Sequence, residues 1–208
     1  RKADSGPWAC SNRPAGPGSG EHSGRTQVND DVRLLGLIVV GSVPTFILGV
    51  VFHRLADLLF ANVLLVGMML VVTGILLTLT RLKGQKAGRA VAAMTWRDAL
   101  LVGTVQGLAI IPGISRAGAT IATGILGGVD HRTAARYSFL LSIPAIAGAS
   151  LLTLIDAGRT GLPDLRIVAA GTVVSAVVGF LALKLLMLLV ARGRLHIFAP
   201  YCWAVGLA

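Results

Sequence analysis

The chain has 208 residues, of which 54% are hydrophobic and 13% charged, with a formal net charge of +10. A soluble domain carries about 25% charged residues, so this composition argues against an ordinary soluble fold. The basic residues stand between apolar blocks and aromatics make up only 5%, which suits loops facing anionic lipid and argues against a nucleic-acid groove. Cys10 and Cys202 lie near opposite ends, without the spacing of a zinc site or a redox pair.

Residues 1–31 are rich in Gly, Pro and Ser up to Gly24 and show no apolar periodicity, so a disordered tail is expected there. No apolar stretch follows Arg1-Lys2 as a signal peptide would require. The membrane domain is expected over 32–208. Leu34–Val51, with Pro44 inside it, is the first predicted span; the second, 58–80, carries no charge. Each approaches the roughly 20 residues needed to cross the hydrocarbon core. A basic loop, Arg81 to Arg97, comes next.

Ala99–Val129 is apolar but broken at Pro112-Gly113, and it holds Arg116. Each half falls below the roughly 17 residues a span needs, so a re-entrant pair of half-helices is predicted. Further spans are expected at 134–155, with Pro144 inside, and 167–190, with Lys184 able to snorkel. A partial apolar helix is expected at 196–208. With the hairpin re-entrant, every loop cation falls on the cytoplasmic side except Arg54, Arg159 and Arg166, as the positive-inside rule requires. A single full span at 99–129 would move Arg132, Arg136, Arg192 and Arg194 across and weaken that bias.

The stretch from Gln106 to Thr120 carries the chemistry. An arginine at membrane depth costs a few kcal/mol even on the gentler scales, and its default reading is functional. Pro112-Gly113 ends one half-helix and Ser115 starts another, and a helix N-terminus offers free N–H groups and the positive end of a dipole to an anion. Ser115 and Thr120 add hydroxyls, while Gly113 and Gly118 admit a ligand close to the backbone. The guanidinium fork matches two phosphate oxygens at once. Together these predict a phosphate or diphosphate pocket, with Arg116 and Ser115 in the reacting role and Gln106, Gly113, Gly118 and Thr120 binding substrate. The alternative, Arg116 paired with a carboxylate purely for packing, finds no acidic partner within the predicted spans.

Other polar residues have simpler readings. His53 and His131 suit solvated loops. Asp130 is expected to cap the next helix, and Asp98 to be a first-turn acid. Ser138 and Ser142 are expected to pack between helices.

Gln106-Gly107-Leu108 followed by Pro112-Gly113-Ile114-Ser115-Arg116-Ala117-Gly118-Ala119-Thr120-Ile121 resembles the second signature of the undecaprenyl-diphosphate phosphatase, or bacitracin-resistance, family. Met94–Ala99 and Tyr137–Pro144 resemble its flanking stretches, and the resemblance covers about 33–208. It implies an all-α polytopic membrane fold of two inverted repeats, each with a re-entrant hairpin meeting near mid-membrane. It also implies a multi-pass protein of the bacterial plasma membrane. The implied activity is hydrolysis of undecaprenyl diphosphate to the monophosphate outside the cytoplasm, recycling the cell-wall lipid carrier. Arg116 would bind the diphosphate, assisted by Ser115 and Thr120. A divalent cation, Mg or Ca, is implied as cofactor, with no ligands for it in this chain. The expected partners are a polyprenyl diphosphate lipid and the membrane, not nucleic acid; a homodimer stays open.

Two departures stand out. Position 117 is Ala where the family usually has Ser. The first signature, an E-x-x-x-E pair followed by Ser-Ser-Thr-Gly-His, has no match, and Glu21-His22-Ser23-Gly24 lacks the apolar context for it. The chain thus resembles the C-terminal two-thirds of the family protein, with the first repeat incomplete, and weak or absent activity alone is expected. Two other readings are an isoprenoid-lipid translocator and a non-catalytic membrane fragment.

Overall fold

An unpaired backbone N–H or C=O in hydrocarbon costs several kcal/mol, so apolar runs in lipid fold into helices that pair every group internally. The computed structural model describes residues 19–53, 59, 61–82, 88–160 and 165–208. Its helices are α1 (Ser19–His53), α2 (Val63–Leu82), α3 (Trp96–Leu108), α4 (Arg116–Leu126), α5 (His131–Thr160), α6 (Leu165–Ala191) and α7 (Ala199–Leu207). Four stretches are long and apolar enough to cross a membrane: Asp30–Phe52, Val63–Arg81, His131–Ile155 and Arg166–Ala191. They match the predicted spans to within a few residues, although part of 58–62 lies outside the described residues. The protein is an all-α, multi-pass membrane protein.

One boundary differs from expectation. α1 begins at Ser19, so residues 19–31 are helix where composition suggests a tail; residues 1–18 lie outside the described residues. After Gly24 no Gly or Pro interrupts the chain before the apolar run, and a helix once formed extends cheaply into such a segment.

The broken stretch is a hairpin. α3 has 13 residues and α4 has 11. At 1.5 Å per residue they measure about 20 and 17 Å, against a core of about 30 Å, so neither crosses. Pro112 and Gly113 lie in the turn between them, and Gly113 has φ +92°, the left-handed region that glycine alone enters freely.

Arg89 shows that both ends of the hairpin lie on one side. Its guanidinium bonds both carboxylate oxygens of Asp98, at 2.9 and 3.0 Å, at the start of α3. The same group donates to the Gly127 carbonyl at 2.8 Å, at the end of α4. Backbone bonds add Arg89 N–H to Gly128 O and Asp130 N–H to Arg89 O. The start of the α1 span lies at this level too, since Arg33 donates to the Met94 carbonyl at 2.9 Å and Arg136 pairs with Asp31 at 3.5 Å. The basic residues Arg33, Arg89, Arg132 and Arg136 therefore gather at one end of the bundle, in keeping with the re-entrant layout read from the charges.

Asp98 also completes a capping box with Thr95. Burial alone would push its carboxyl up, but the bonds from Arg89 and Thr95 outweigh burial and hold it below the usual carboxylate range. A depressed folded value means that this contribution is present above the ordinary carboxylate pKa of about 4 and is lost as pH falls through the lower folded value. Because Arg89 is 37% exposed, screening limits the pair, and Asp98→Asn is expected to lower stability at pH 7 by about 1–2 kcal/mol rather than more. Thermal melts in detergent between pH 3 and 7 check this. The asparagine variant should show a flatter acid limb than the parent; identical acid limbs would count against the ion pair.

Packing relies on small residues. A Cβ at Gly103 would collide with the Gly41 carbonyl, so the α1 and α3 backbones touch there, and Gly107 fits against Leu48 in the same way. α2 and α7 meet at Gly67 against Gly206 and at Gly74 against Trp203. Tyr137, Met94, Ile121, Ile125 and Leu141 fill the core between α3, α4 and α5, and the Tyr137 hydroxyl donates to the Leu37 carbonyl at 2.8 Å. α6 presents Val173, Val174, Val177, Val178 and Phe180 outward, an apolar surface suited to lipid.

Candidate functional site

The tip of the hairpin is built on α2. Thr73 is the eleventh of the 20 residues of Val63–Leu82, so it lies about 15 Å from either end, near mid-membrane. Its hydroxyl accepts the Ser115 N–H at 3.2 Å and lies 3.1 Å from the Gly113 carbonyl and 3.0 Å from the Met69 carbonyl, which share its proton. Gly113 packs so closely on α2 that a Cβ would strike the Val66 carbonyl. The turn that carries Gly113, Ser115 and Arg116 is thus held against the middle of α2.

Ser115 caps α4. Its Oγ accepts the Gly118 N–H at 3.2 Å, which leaves the hydroxyl proton for another acceptor, and the Ser115 carbonyl takes the Ala119 N–H at 2.8 Å. The next two N–H groups, of Arg116 and Ala117, are taken by no described residue. Arg116 is the first residue of α4; its side chain is exposed and forms no hydrogen bond or ion pair among the described residues. A helix N-terminus carries about half a positive charge, so a cation there is at the less favourable pole. Two positive ends therefore converge at one point.

The other predicted residues do not all stand at this point. Gly118 is buried beneath Ser115 and contributes only its capped N–H. Thr120 is 1% exposed, and its hydroxyl donates back into its own helix, 2.8 Å from the Arg116 carbonyl and 3.3 Å from that of Ala117. Its contribution to the tip is indirect, through the first turn of α4. Gln106 is also 1% exposed; its Nε2 donates to the Leu141 carbonyl at 3.1 Å and lies 3.5 Å from the Thr45 hydroxyl, tying α3 to α5 and α1, while its Oε1 has no partner among the described residues. Asp130 accepts the Arg132 and Thr133 N–H groups and so caps α5 as expected. Ser138 is buried on α5 and Ser142 donates to the Phe139 carbonyl, positions that fit packing roles. His53, by its side chain, lies outside the described residues.

Sequence reasoning missed Thr73 and Arg89. Thr73 is one hydroxyl in a charge-free span and Arg89 one cation in a basic loop; only the partner each reaches sets it apart.

No three His, Cys, Asp or Glu side chains among the described residues come together as a metal ion would need. The described residues do not fit the divalent cation that the resemblance implies.

The model of the family described as bacitracin resistance protein BacA matches residues 17–208, which takes in all of the described helices. The undecaprenyl-diphosphatase of Desulfatibacillum aliphaticivorans is 49% identical over 178 residues, 86% of this chain and 64% of that protein. That of Desulforapulum autotrophicum is 48% identical over 181 residues, 87% of this chain and 65% of the relative. The undecaprenyl-diphosphatase of Methanothermobacter thermautotrophicus is 43% identical over 176 residues, 82% of this chain and 96% of the relative. The chain spans a little under two thirds of the length of the first two relatives. Turn, clamp and capped half-helix all fall inside the matched region, and the chain belongs to the bacitracin resistance protein BacA family.

Proposed function

We propose that the tip of the α3–α4 hairpin binds the diphosphate group of an isoprenoid lipid, undecaprenyl diphosphate by the names of the relatives, and that the reaction it serves is release of inorganic phosphate. The carrying observation is Arg116 at the N-terminus of α4, without a partner among the described residues, beside two N–H groups that no described residue takes. In hydrolysis a water oxygen forms the new P–O bond, the bridging P–O bond breaks, and its electron pair leaves with the lipid monophosphate. Little covalent chemistry falls to the protein in such a transfer; most of the acceleration comes from holding the oxygens and their charge. Arg116, its N–H and that of Ala117 supply that hold, and the Ser115 hydroxyl has a proton to donate to a phosphate oxygen. Proton transfer to and from water needs a further group, and none of the described residues at the tip is a carboxylate or imidazole. We therefore propose slow turnover by this chain alone. The inverted-repeat arrangement belongs to the same reading: a second hairpin facing this one would bring its polar residues to the level of Arg116.

The test is release of phosphate from undecaprenyl diphosphate by the purified chain in lipid vesicles, beside an undecaprenyl-diphosphatase of full length and the Arg116→Ala variant. Slow release, lost in the variant, is the expected result. Release as fast as the full-length enzyme would overturn the slow-turnover reading. Transport of the lipid between leaflets with no release at any protein concentration would overturn the hydrolase reading.

A further inference from the structure

Resting on the diphosphate reading above, we propose that Thr73 of α2 is a positioning residue that sets the turn from which Arg116 and the first N–H groups of α4 meet the diphosphate. Hydroxyls in membrane helices ordinarily bond one carbonyl of their own helix and go no further. Thr78, Thr123, Thr153 and Thr172 do this, each donating to the carbonyl four residues earlier at 2.8–3.0 Å. Thr73 has that bond to Met69, and in addition it reaches both sides of Ile114: the carbonyl of Gly113 at 3.1 Å and the N–H of Ser115 at 3.2 Å.

These contacts join sequence positions 40 and 42 residues apart and fall on the two peptide groups that flank Ile114, one peptide short of Arg116. Ser115 is the cap of α4, so its backbone conformation decides where the first turn of that helix begins. By taking the Ser115 N–H, Thr73 fixes the cap against a transmembrane helix. Thr73 is 0% exposed, so no solvent replaces the hydroxyl if it is removed. A valine there would fill the same volume and leave the part-buried Ser115 N–H and Gly113 carbonyl without that partner. The turn would then drift on α2, and the N–H groups and guanidinium would drift with it, although neither touches Thr73.

The experiment measures Kd for farnesyl diphosphate and farnesyl monophosphate, corrected for the folded fraction, on the chain in detergent micelles. Thr73→Val is expected to weaken the diphosphate about ten- to a hundredfold, as a shift of about an ångström in binding groups does. Its preference for diphosphate over monophosphate should narrow, which a loss of stability alone does not produce. Thr73→Ser keeps the hydroxyl and should bind within about threefold of the parent, since only a methyl is lost. If the valine variant does not fold, Thr73→Ala removes the same hydroxyl without a branched side chain at the turn and carries the test. Parent-like Kd in the valine or alanine variant, or equal weakening in the serine variant, overturns the proposal. Arg116→Ala is measured in parallel: if it also binds like the parent, the diphosphate reading has failed; if it loses binding while Thr73→Val keeps it, only the role of Thr73 has failed.

Discussion

Replacing Arg116 by alanine is expected to weaken isoprenyl diphosphate binding by at least a hundredfold while leaving the ligand-free protein as stable as before, or more so. The first half follows from the hydrogen bonds. Bonds to charged groups contribute about 1.5–3 kcal/mol each, and a guanidinium makes two in parallel to phosphate oxygens, so about 3 kcal/mol, or roughly a hundredfold in Kd, is a lower figure. The second half follows from the helix. Arg116 sits at the positive pole of α4 with no described partner, a placement that costs roughly 0.3–1 kcal/mol from the dipole alone. Removing it relieves that cost. Arg116→Lys keeps the charge but loses the planar fork, and an intermediate loss of about tenfold is expected. Titration with an isoprenyl diphosphate and a thermal melt without ligand give both numbers. A structural arginine would behave the other way, lowering the melting temperature when removed and leaving whatever binding remains untouched.

Gly113→Ala is expected to lower stability through two separate costs. At φ +92° an alanine is strained by about 1–3 kcal/mol. Its Cβ would also strike the Val66 carbonyl and come within 2.9 Å of the Met69 Cβ, so α2 would have to retreat, at a further 1–3 kcal/mol or so. Retreat of α2 separates Thr73 from the turn, so diphosphate binding should fall together with stability. Gly148→Ala is the control: it lies in α5 with nothing within 4 Å of the added carbon, and alanine is the better helix former by about 1 kcal/mol. Melting curves in one detergent compare the two. Equal melting temperatures for Gly113→Ala and the parent would mean that the turn is not held against α2 as described.

Much of this architecture can be read from residue order because the bilayer imposes it. Spans of about 20 apolar residues have one solution in lipid, and a stretch broken by Pro112-Gly113 into two short halves has few. The cap at Asp130 and the first-turn place of Asp98 are local, set by neighbours within four positions, and are legible for the same reason; the capping role of Ser115 is equally local but is read from the sequence only as a pocket hydroxyl. Depth and partnership are not local. That Thr120 turns back to the Arg116 carbonyl, and that Gln106 ties α3 to the Leu141 carbonyl instead of standing beside Arg116, depends on which face of each half-helix is covered by α1, α2 or α5. α3 has no distinct polar face, so periodicity does not distinguish its covered side from the open one; α4 is amphipathic, but which neighbour covers its apolar face is not written in its own residues. The start of α1 was missed for a different reason: Gly and Ser before residue 24 mark a weak helix former, but the long apolar helix that follows carries the segment with it.

The clamp at Arg89 and the Thr73 contacts make the hairpin a beam held at both ends. At one end a single side chain grips the start of α3 and the end of α4; the other end, about 20 Å away along α3, rests on the middle of α2. Over that length a tilt of about 3° at the base would move an unsupported tip by about 1 Å, a displacement that the support on α2 opposes. The two supports together, and neither alone, set the positional tolerance of the turn between the half-helices.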